Sequence, residues 1–311
     1  MKKIAFLFPG QGAQYVGMGR AFYDRVPEAR AIFERADELL RYSLTEIIFD
    51  GPSEKLTETK HAQTAIFVVS QALLAAIDRH VPQLKPTLVA GLSLGEYSAL
   101  CASGALSFDD ALSIVSTRAR LMHQACEETR GTMAVVLGME DKDVEEVVKE
   151  VGSGIWMANL NCPGQVAISG TVPGIEAASA LAREKGAKRV IPLDVHGAFH
   201  SGLMQSAEKH LEPHLEKLTF STLKCPIVMN VTGEKADHLD QVRANLKHQV
   251  TAPVYWKKGI EAMDRSGVEL YVEIGCGKVL SGLNRRIGVI GTSLNVEVPE
   301  DLEKLQGVII A

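Results

Sequence analysis

Thr87-Leu88-Val89-Ala90-Gly91-Leu92-Ser93-Leu94-Gly95-Glu96-Tyr97-Ser98-Ala99-Leu100-Cys101-Ala102 reads as a buried strand, a sharp turn and a helix. The residues before Gly91 carry no charge, as a strand covered on both faces requires. Gly91-Leu92-Ser93-Leu94-Gly95 has the Gly-x-Ser-x-Gly spacing of a nucleophile elbow, in the strand–turn–helix context that such an elbow needs. Glycines two before and two after the serine let strand and helix approach closely. The hydroxyl then stands at a helix N-terminus, where backbone N–H groups and the positive end of the dipole face a developing oxyanion. The plainer alternative is a glycine-flanked N-cap serine.

Outward from this stretch the pattern repeats. Short apolar runs are found at 3–8, 87–92, 132–137, 155–160, 165–169, 189–193, 227–230, 270–274 and 289–294. Helical patterns stand at 15–25, 28–41, 63–79, 94–103, 108–128, 141–151, 175–185, 202–210, 239–248 and 254–265. Their alternation predicts an α/β fold. Residues from about 131 to 193 follow strand, helix, strand, strand, helix, strand, the order of a ferredoxin-like unit. Acids at Asp141 and Asp143 open its first helix, Pro173-Gly174 opens the second and Gly186 closes it. The expected organisation is a large α/β-hydrolase-like domain from 1–129 and 196–311, with a ferredoxin-like small domain at 130–195 inserted into it. One continuous mixed sheet is the alternative.

Composition narrows the function. A chain of 311 residues suggests about two domains, and 46% hydrophobic with 23% charged residues is ordinary for a globular protein. A net charge of −5 argues against a nucleic-acid binder, which shows a basic face. The start, Met1-Lys2-Lys3-Ile4-Ala5-Phe6-Leu7-Phe8-Pro9, is basic then apolar, but its run ends at Pro9, short for a signal core. It reads as a first buried strand. No run of about 18 apolar residues predicts a membrane span. The 5 cysteines are odd in number, without Cys-x-x-Cys, so free thiols in the cytoplasm are expected, with neither disulfides nor a zinc site. No cofactor or metal is expected, and a monomer is.

A nucleophilic serine needs a base. Of the 9 histidines, His200 is the best placed. It lies just past the strand at 189–193, where catalytic groups collect in open α/β sheets, and Ser201 after it fits an N-cap. His196 precedes it by four residues and His210 and His214 form a similar pair, but no carboxylate completes a metal set around either, and Pro213 interrupts the second.

The helix at 108–128 holds an anomaly. At helical spacing Arg118 has Ala111, Ile114, Val115, Met122 and Ala125 as neighbours, whereas Arg120 has Ser113, Ser116, Thr117, Gln124 and Glu127. Arg120 therefore faces water and Arg118 points inward. A buried guanidinium keeps its proton and is costly unless paired. Its partner is either a protein carboxylate or a substrate acid held by a bidentate fork. Beside a serine nucleophile, the second reading suggests an acyl group with a free acid at its far end.

Together these residues resemble a family. Phe8-Pro9-Gly10-Gln11-Gly12-Ala13-Gln14, the elbow from Gly91 to Ala99, Arg118, Asn161-Cys162-Pro163-Gly164-Gln165 and Gly197-Ala198-Phe199-His200-Ser201 stand in the order found in malonyl-CoA:acyl carrier protein transacylases. The resemblance runs from Ile4 to about Leu294. It implies that Ser93 attacks the malonyl thioester, that His200 is the base, and that Gln249 orients the imidazole through its backbone carbonyl. It also implies an oxyanion hole from the backbone N–H groups of Gln11 and Leu94. Arg118 would grip the malonyl carboxylate, with Phe199 and Asn161 on the substrate side. Phe199 resembles the malonyl-selecting version of its motif, which disfavours methylmalonyl. The implied partners are malonyl-CoA and acyl carrier protein, in fatty acid synthesis. An acidic carrier would meet a basic patch, either Lys185, Lys188 and Arg189 or Arg285 and Arg286. One departure stands out: the family usually has histidine before the nucleophile, where this chain has Leu92. Asp194 receives no role. The Pro-Gly-Gln-Gly start is not a phosphate loop, because Tyr15 stands where the third glycine belongs. A thioesterase is the rival that would not need Arg118, and a non-catalytic carrier-binding scaffold would lack the serine or the histidine.

Overall fold

The computed structural model describes residues 2–195 and 197–310; His196, paired in sequence with His200, lies outside them. Ten strands are present among these residues: β1 Ile4–Phe8, β2 Leu88–Gly91, β3 Thr132–Leu137, β4 Ile155–Cys162, β5 Gln165–Gly170, β6 Arg189–Pro192, β7 Ile227–Met229, β8 Glu234–Ala236, β9 Leu270–Ile274 and β10 Thr292–Val296. They form two sheets rather than one continuous sheet. The first runs β10-β9-β1-β2-β7-β8, parallel throughout except for the terminal β7–β8 pair. All of β1 is buried, as befits a central parallel strand with helices on both faces. The basic-then-apolar N-terminus is thus the middle of the larger sheet.

The second sheet runs β4-β5-β3-β6 and is antiparallel. Helices Asp141–Val151 and Val172–Glu184 pack on it, around a separate core of Ala134, Val136, Val144, Val147 and Ile168. It is tied through backbone to the segment before the helix Trp256–Arg265: Leu160 N–H donates to the Val254 carbonyl at 2.9 Å, and Val254 N–H donates to that of Ala158 at 2.8 Å. Along the same stretch β4 shifts register against β5, between Met157 and Asn159 and again between Leu160 and Cys162. Such bulges re-aim side chains; here Asn159 and Asn161 both come to line the cavity between the sheets.

Several elements differ from the sequence reading. The helix expected at 15–25 starts only at Arg20, because Gly17 and Gly19 take φ of 93° and 75°, outside the helical region. The helix expected at 202–210 opens as a 3-10 turn and then runs from Gln205 to Glu216 through Pro213; both Pro213 and Lys209, whose carbonyl loses its bond, face solvent. β10 lies three residues later than expected, since Gly288 first ends the helix Val279–Ile287. The tail beyond it, which had no sequence reading, folds as the helix Asp301–Ile310. Thr59–His80 is long and apolar enough to cross a membrane by length and composition, yet 83% of its most apolar window is buried inside the fold. It is a core helix.

Candidate active site

The elbow is set by close contact. A Cβ on Gly91 would lie 1.8 Å from the carbonyl carbon of Gly95, and one on Gly95 would lie 2.2 Å from the Phe8 carbonyl oxygen. Only glycine fits either position. Between them Ser93 takes φ of 53°, a left-handed conformation that costs a non-glycine residue about 1–2 kcal/mol. Its N–H donates to Asn230 Oδ1 at 2.6 Å. Asn230 directly follows β7, at the carboxyl edge of the parallel sheet.

The loop after β6 brings His200 to the same point, 3% exposed and with φ of 57°. Its Nε2 lies 2.8 Å from Ser93 Oγ, and its Nδ1 lies 2.8 Å from the carbonyl oxygen of Gln249. A carbonyl only accepts, so the proton sits on Nδ1 and Nε2 is free to take the serine's. Burial, and then the charge of Arg118, push His200 down to about 4, so the ring is neutral at physiological pH. Asp194 is exposed.

Arg118 is 1% exposed on the helix Phe108–Glu128, and Arg120 faces water. Its Nη2 donates to Gln249 Oε1 at 2.8 Å and to Ser93 Oγ at 3.1 Å. Its Nη1 donates to Gln63 Oε1 at 2.5 Å. Tyr97 presents its ring 5.8 Å away. Among the described residues Arg118 forms no ion pair, so every acceptor it has is neutral. The buried carboxyl group of Glu96 meets Gln249 Nε2 instead. Burial pushes Glu96 up to about 8, against the opposing pull of Asn230, Gln249 and Arg118.

These groups open on a cavity of about 280 Å³ between the two sheets. Gln11, Leu94, Asn161 and Phe199 all line it, together with Leu92. The backbone N–H groups of Gln11 and Leu94 have no acceptor among the described residues. Asn161 Oδ1 is buried there without a hydrogen-bond partner. All eight sequence-proposed residues therefore meet at one place. Arg286 donates to Gln165, which lines the cavity, while Lys185 is paired with Glu150. No cluster of His, Cys, Asp and Glu suited to a metal exists among the described residues, and all five cysteines are free.

Sequence reasoning missed Gln63, Asn230 and the part played by Glu96. Gln63 had a weak signal, a polar residue opening a helix that is otherwise apolar from Ala65 to Val69. Asn230 had only its place at a strand end.

The serine, the histidine and the unneutralised arginine in one cavity suit acyl transfer. A family model described as acyl transferase domain matches residues 5–281, which sets the class: the chain is an acyltransferase. Over 306 residues it is 43% identical to the malonyl CoA-acyl carrier protein transacylase of Bacillus subtilis, covering 97% of this chain and 96% of that protein. The crystal structure of an acyl-carrier-protein-S-malonyltransferase from Bartonella henselae matches with a TM-score of 0.95 at 38% identity, covering 99% and 100% of the two chains. A malonyl-transacylase solved in complex with its type II PKS acyl-carrier protein matches with a TM-score of 0.93 at 34% identity, over 97% and 98% of the chains. The chain belongs to the malonyl CoA-acyl carrier protein transacylase family.

Proposed function

We propose that this acyltransferase moves a malonyl group from malonyl-CoA to the phosphopantetheine thiol of an acyl carrier protein, through a malonyl-serine intermediate, and so supplies fatty acid synthesis. The observation that carries the reading is Arg118: a buried guanidinium bound only by neutral oxygens, 3.1 Å from the nucleophilic oxygen. A free carboxylate at the far end of the acyl group supplies the missing anion, and an Arg–carboxylate fork is among the strongest of hydrogen-bonded pairs.

In the first half-reaction Ser93 Oγ bonds to the thioester carbonyl carbon while His200 Nε2 takes its proton. The carbonyl oxygen becomes an oxyanion facing the N–H groups of Gln11 and Leu94, each such donor being worth about 10²–10³ in rate. The C–S bond then breaks and His200 returns the proton to the departing CoA thiol. In the second half-reaction the carrier's thiol gives its proton to His200, attacks the malonyl ester, and Ser93 leaves with that proton. Gln249 holds the imidazole through its carbonyl. Phe199 and Asn161, which line the cavity, flank the acyl group and its arm.

The fold reading belongs to the same proposal. The larger sheet forms an α/β-hydrolase-like domain from 1–129 and 196–311. Residues 130–195 form a ferredoxin-like domain, which the strand order β4-β5-β3-β6 supports. The enzyme is taken to act in the cytoplasm as a monomer.

Intact-protein mass spectrometry after mixing with malonyl-CoA and no acceptor tests the mechanism. The expected result is one added malonyl group, mapped to Ser93 and discharged by acyl carrier protein. Free malonate with no adduct would make the chain a hydrolase and sink the transfer mechanism.

A further inference from the structure

Behind the nucleophile, the backbone of Ser93 is clamped on both sides of its Cα. Its N–H donates to Asn230 Oδ1 at 2.6 Å, and its carbonyl accepts from Gln249 Nε2 at 2.7 Å. Glu96 ties the two clamping residues together: its Oε1 accepts from the Asn230 backbone N–H and its Oε2 from Gln249 Nε2, each at 2.5 Å. Asn230 Nδ2 also donates to the Gly91 carbonyl at 2.7 Å, so one side-chain amide spans the elbow from residue 91 to residue 93. Glu96 and Asn230 are 0% and 3% exposed, and neither lines the cavity. They touch the machinery without touching the space the substrate would fill.

We propose that Glu96 and Asn230 are positioning residues for acyl transfer, holding Ser93 in its left-handed conformation and fixing the Gln249 amide. The proposal rests on Ser93 being the nucleophile. A serine at φ of 53° relaxes unless its neighbours hold it, because the left-handed conformation is unfavourable for any residue but glycine. Relaxation would swing Oγ away from His200 Nε2, and a displacement of about 1 Å can cost about 10² in rate. Glu96 acts on the amide as well. An acceptor at Oε2 requires Gln249 to present Nε2, which turns Oε1 onto Arg118 at 2.8 Å. The flipped amide would set an N–H against the guanidinium and remove the donor from the Ser93 carbonyl.

Rapid-quench measurement of Ser93 malonylation in Asn230→Ala, Glu96→Gln and Ser93→Ala separates this from a plain folding role. In the first two variants the burst amplitude is expected to stay at one malonyl group per chain. The burst rate is expected to fall about 10²-fold, with KM for malonyl-CoA little changed. A lower amplitude at the parent rate, or a rate within about threefold of the parent, overturns the proposal for that residue. Glu96→Gln keeps the shape of the side chain and carries the test if Asn230→Ala does not fold. A malonyl adduct on Ser93→Ala would instead remove Ser93 as nucleophile, a failure distinct from that of the clamp.

Discussion

The carbonyl oxygen of Gln249 stands 2.8 Å from Nδ1 of His200, so a neutral backbone group occupies the place that a carboxylate fills in Asp-backed triads. The consequence lies with Arg118, whose Nη2 is bonded to the side chain of the same Gln249. A carboxylate at that position would pair with the guanidinium and compete with an acidic substrate. The dyad orients the imidazole and leaves the cation unneutralised.

Removing that cation should change which donor is used. Arg118→Ala is expected to lower kcat/KM for malonyl-CoA by about 10- to 100-fold, the worth of about 1.5–3 kcal/mol of charged hydrogen bonds. Use of acetyl-CoA relative to malonyl-CoA should rise. Competition between the two donors gives the ratio directly, and an undiminished malonyl preference would show that Arg118 is not the clamp.

The histidine sets the acid limb. With His200 held near 4, kcat/KM for acylation is expected to stay level from pH 7 to about 5 and to be halved near pH 4. A limb near the ordinary imidazole value of about 6.5 would show that the ring is not kept neutral by its surroundings.

Stability responds to the same groups with opposite signs. His200 is lowered from 6.5, so its contribution is complete above 6.5 and is lost as pH falls towards 4. Glu96 is raised from 4.5 to about 8, so its contribution is complete below 4.5 and is lost as pH rises through 8. Between pH 6.5 and 8 Glu96 acts without His200, and the melting temperature should drop across that interval. Glu96→Gln should lessen the drop, as thermal unfolding at a series of pH values would record; an unchanged drop would show that Glu96 does not cause it.

The elbow glycines should tolerate nothing larger. Gly91→Ala places a methyl group 1.8 Å from the carbonyl carbon of Gly95 and is expected to cost about 3 kcal/mol or more. Gly12, with nothing within 4 Å of its would-be Cβ and φ of 101°, should cost only about 1 kcal/mol as alanine. Equal losses in chemical denaturation would contradict the contact argument.

Carrier use should depend on the basic pair Arg285 and Arg286, the second of which is bonded to the cavity-lining Gln165. Reversing Arg285 and Arg286 to glutamate is expected to raise KM for the carrier while leaving acylation by malonyl-CoA unchanged, because steering acts on the encounter of charged partners. Unaltered carrier kinetics would move the docking surface elsewhere.

The parts of the site legible in the sequence were those whose signal is local or periodic. Ser93 lies between two glycines at fixed spacing, and Arg118 betrays itself by apolar neighbours three and four residues away. Asn230 has no such signal, because its bond to Ser93 crosses 137 residues. Gln63 meets Arg118 across 55. The start of the helix at Arg20 was misplaced because its apolar pattern continues back to Tyr15 while two glycines take positive φ. The three-residue edge strand Glu234–Ala236 is too short and too charged to show alternation. Gln249, Gln11 and Leu94 became legible only through family resemblance, since Gln11 and Leu94 offer the cavity backbone N–H groups that any residue carries and Gln249 meets His200 through its own carbonyl.

The stitching of β4 to Val254 has a consequence for how the enzyme can diversify. Ser93, Arg118 and Gln249 stand on elements outside the smaller sheet, and His200 on the loop that follows its edge strand β6. Met133, Val135, Asn159 and Asn161, on the other wall of the cavity, belong to that smaller sheet. One wall of the cavity is therefore encoded within 132–192, while Arg118 and Phe199 line it from outside that stretch. Exchanges at Met133, Val135, Asn159 and Asn161 can therefore resculpt that wall without altering any residue that bonds to Ser93 or His200.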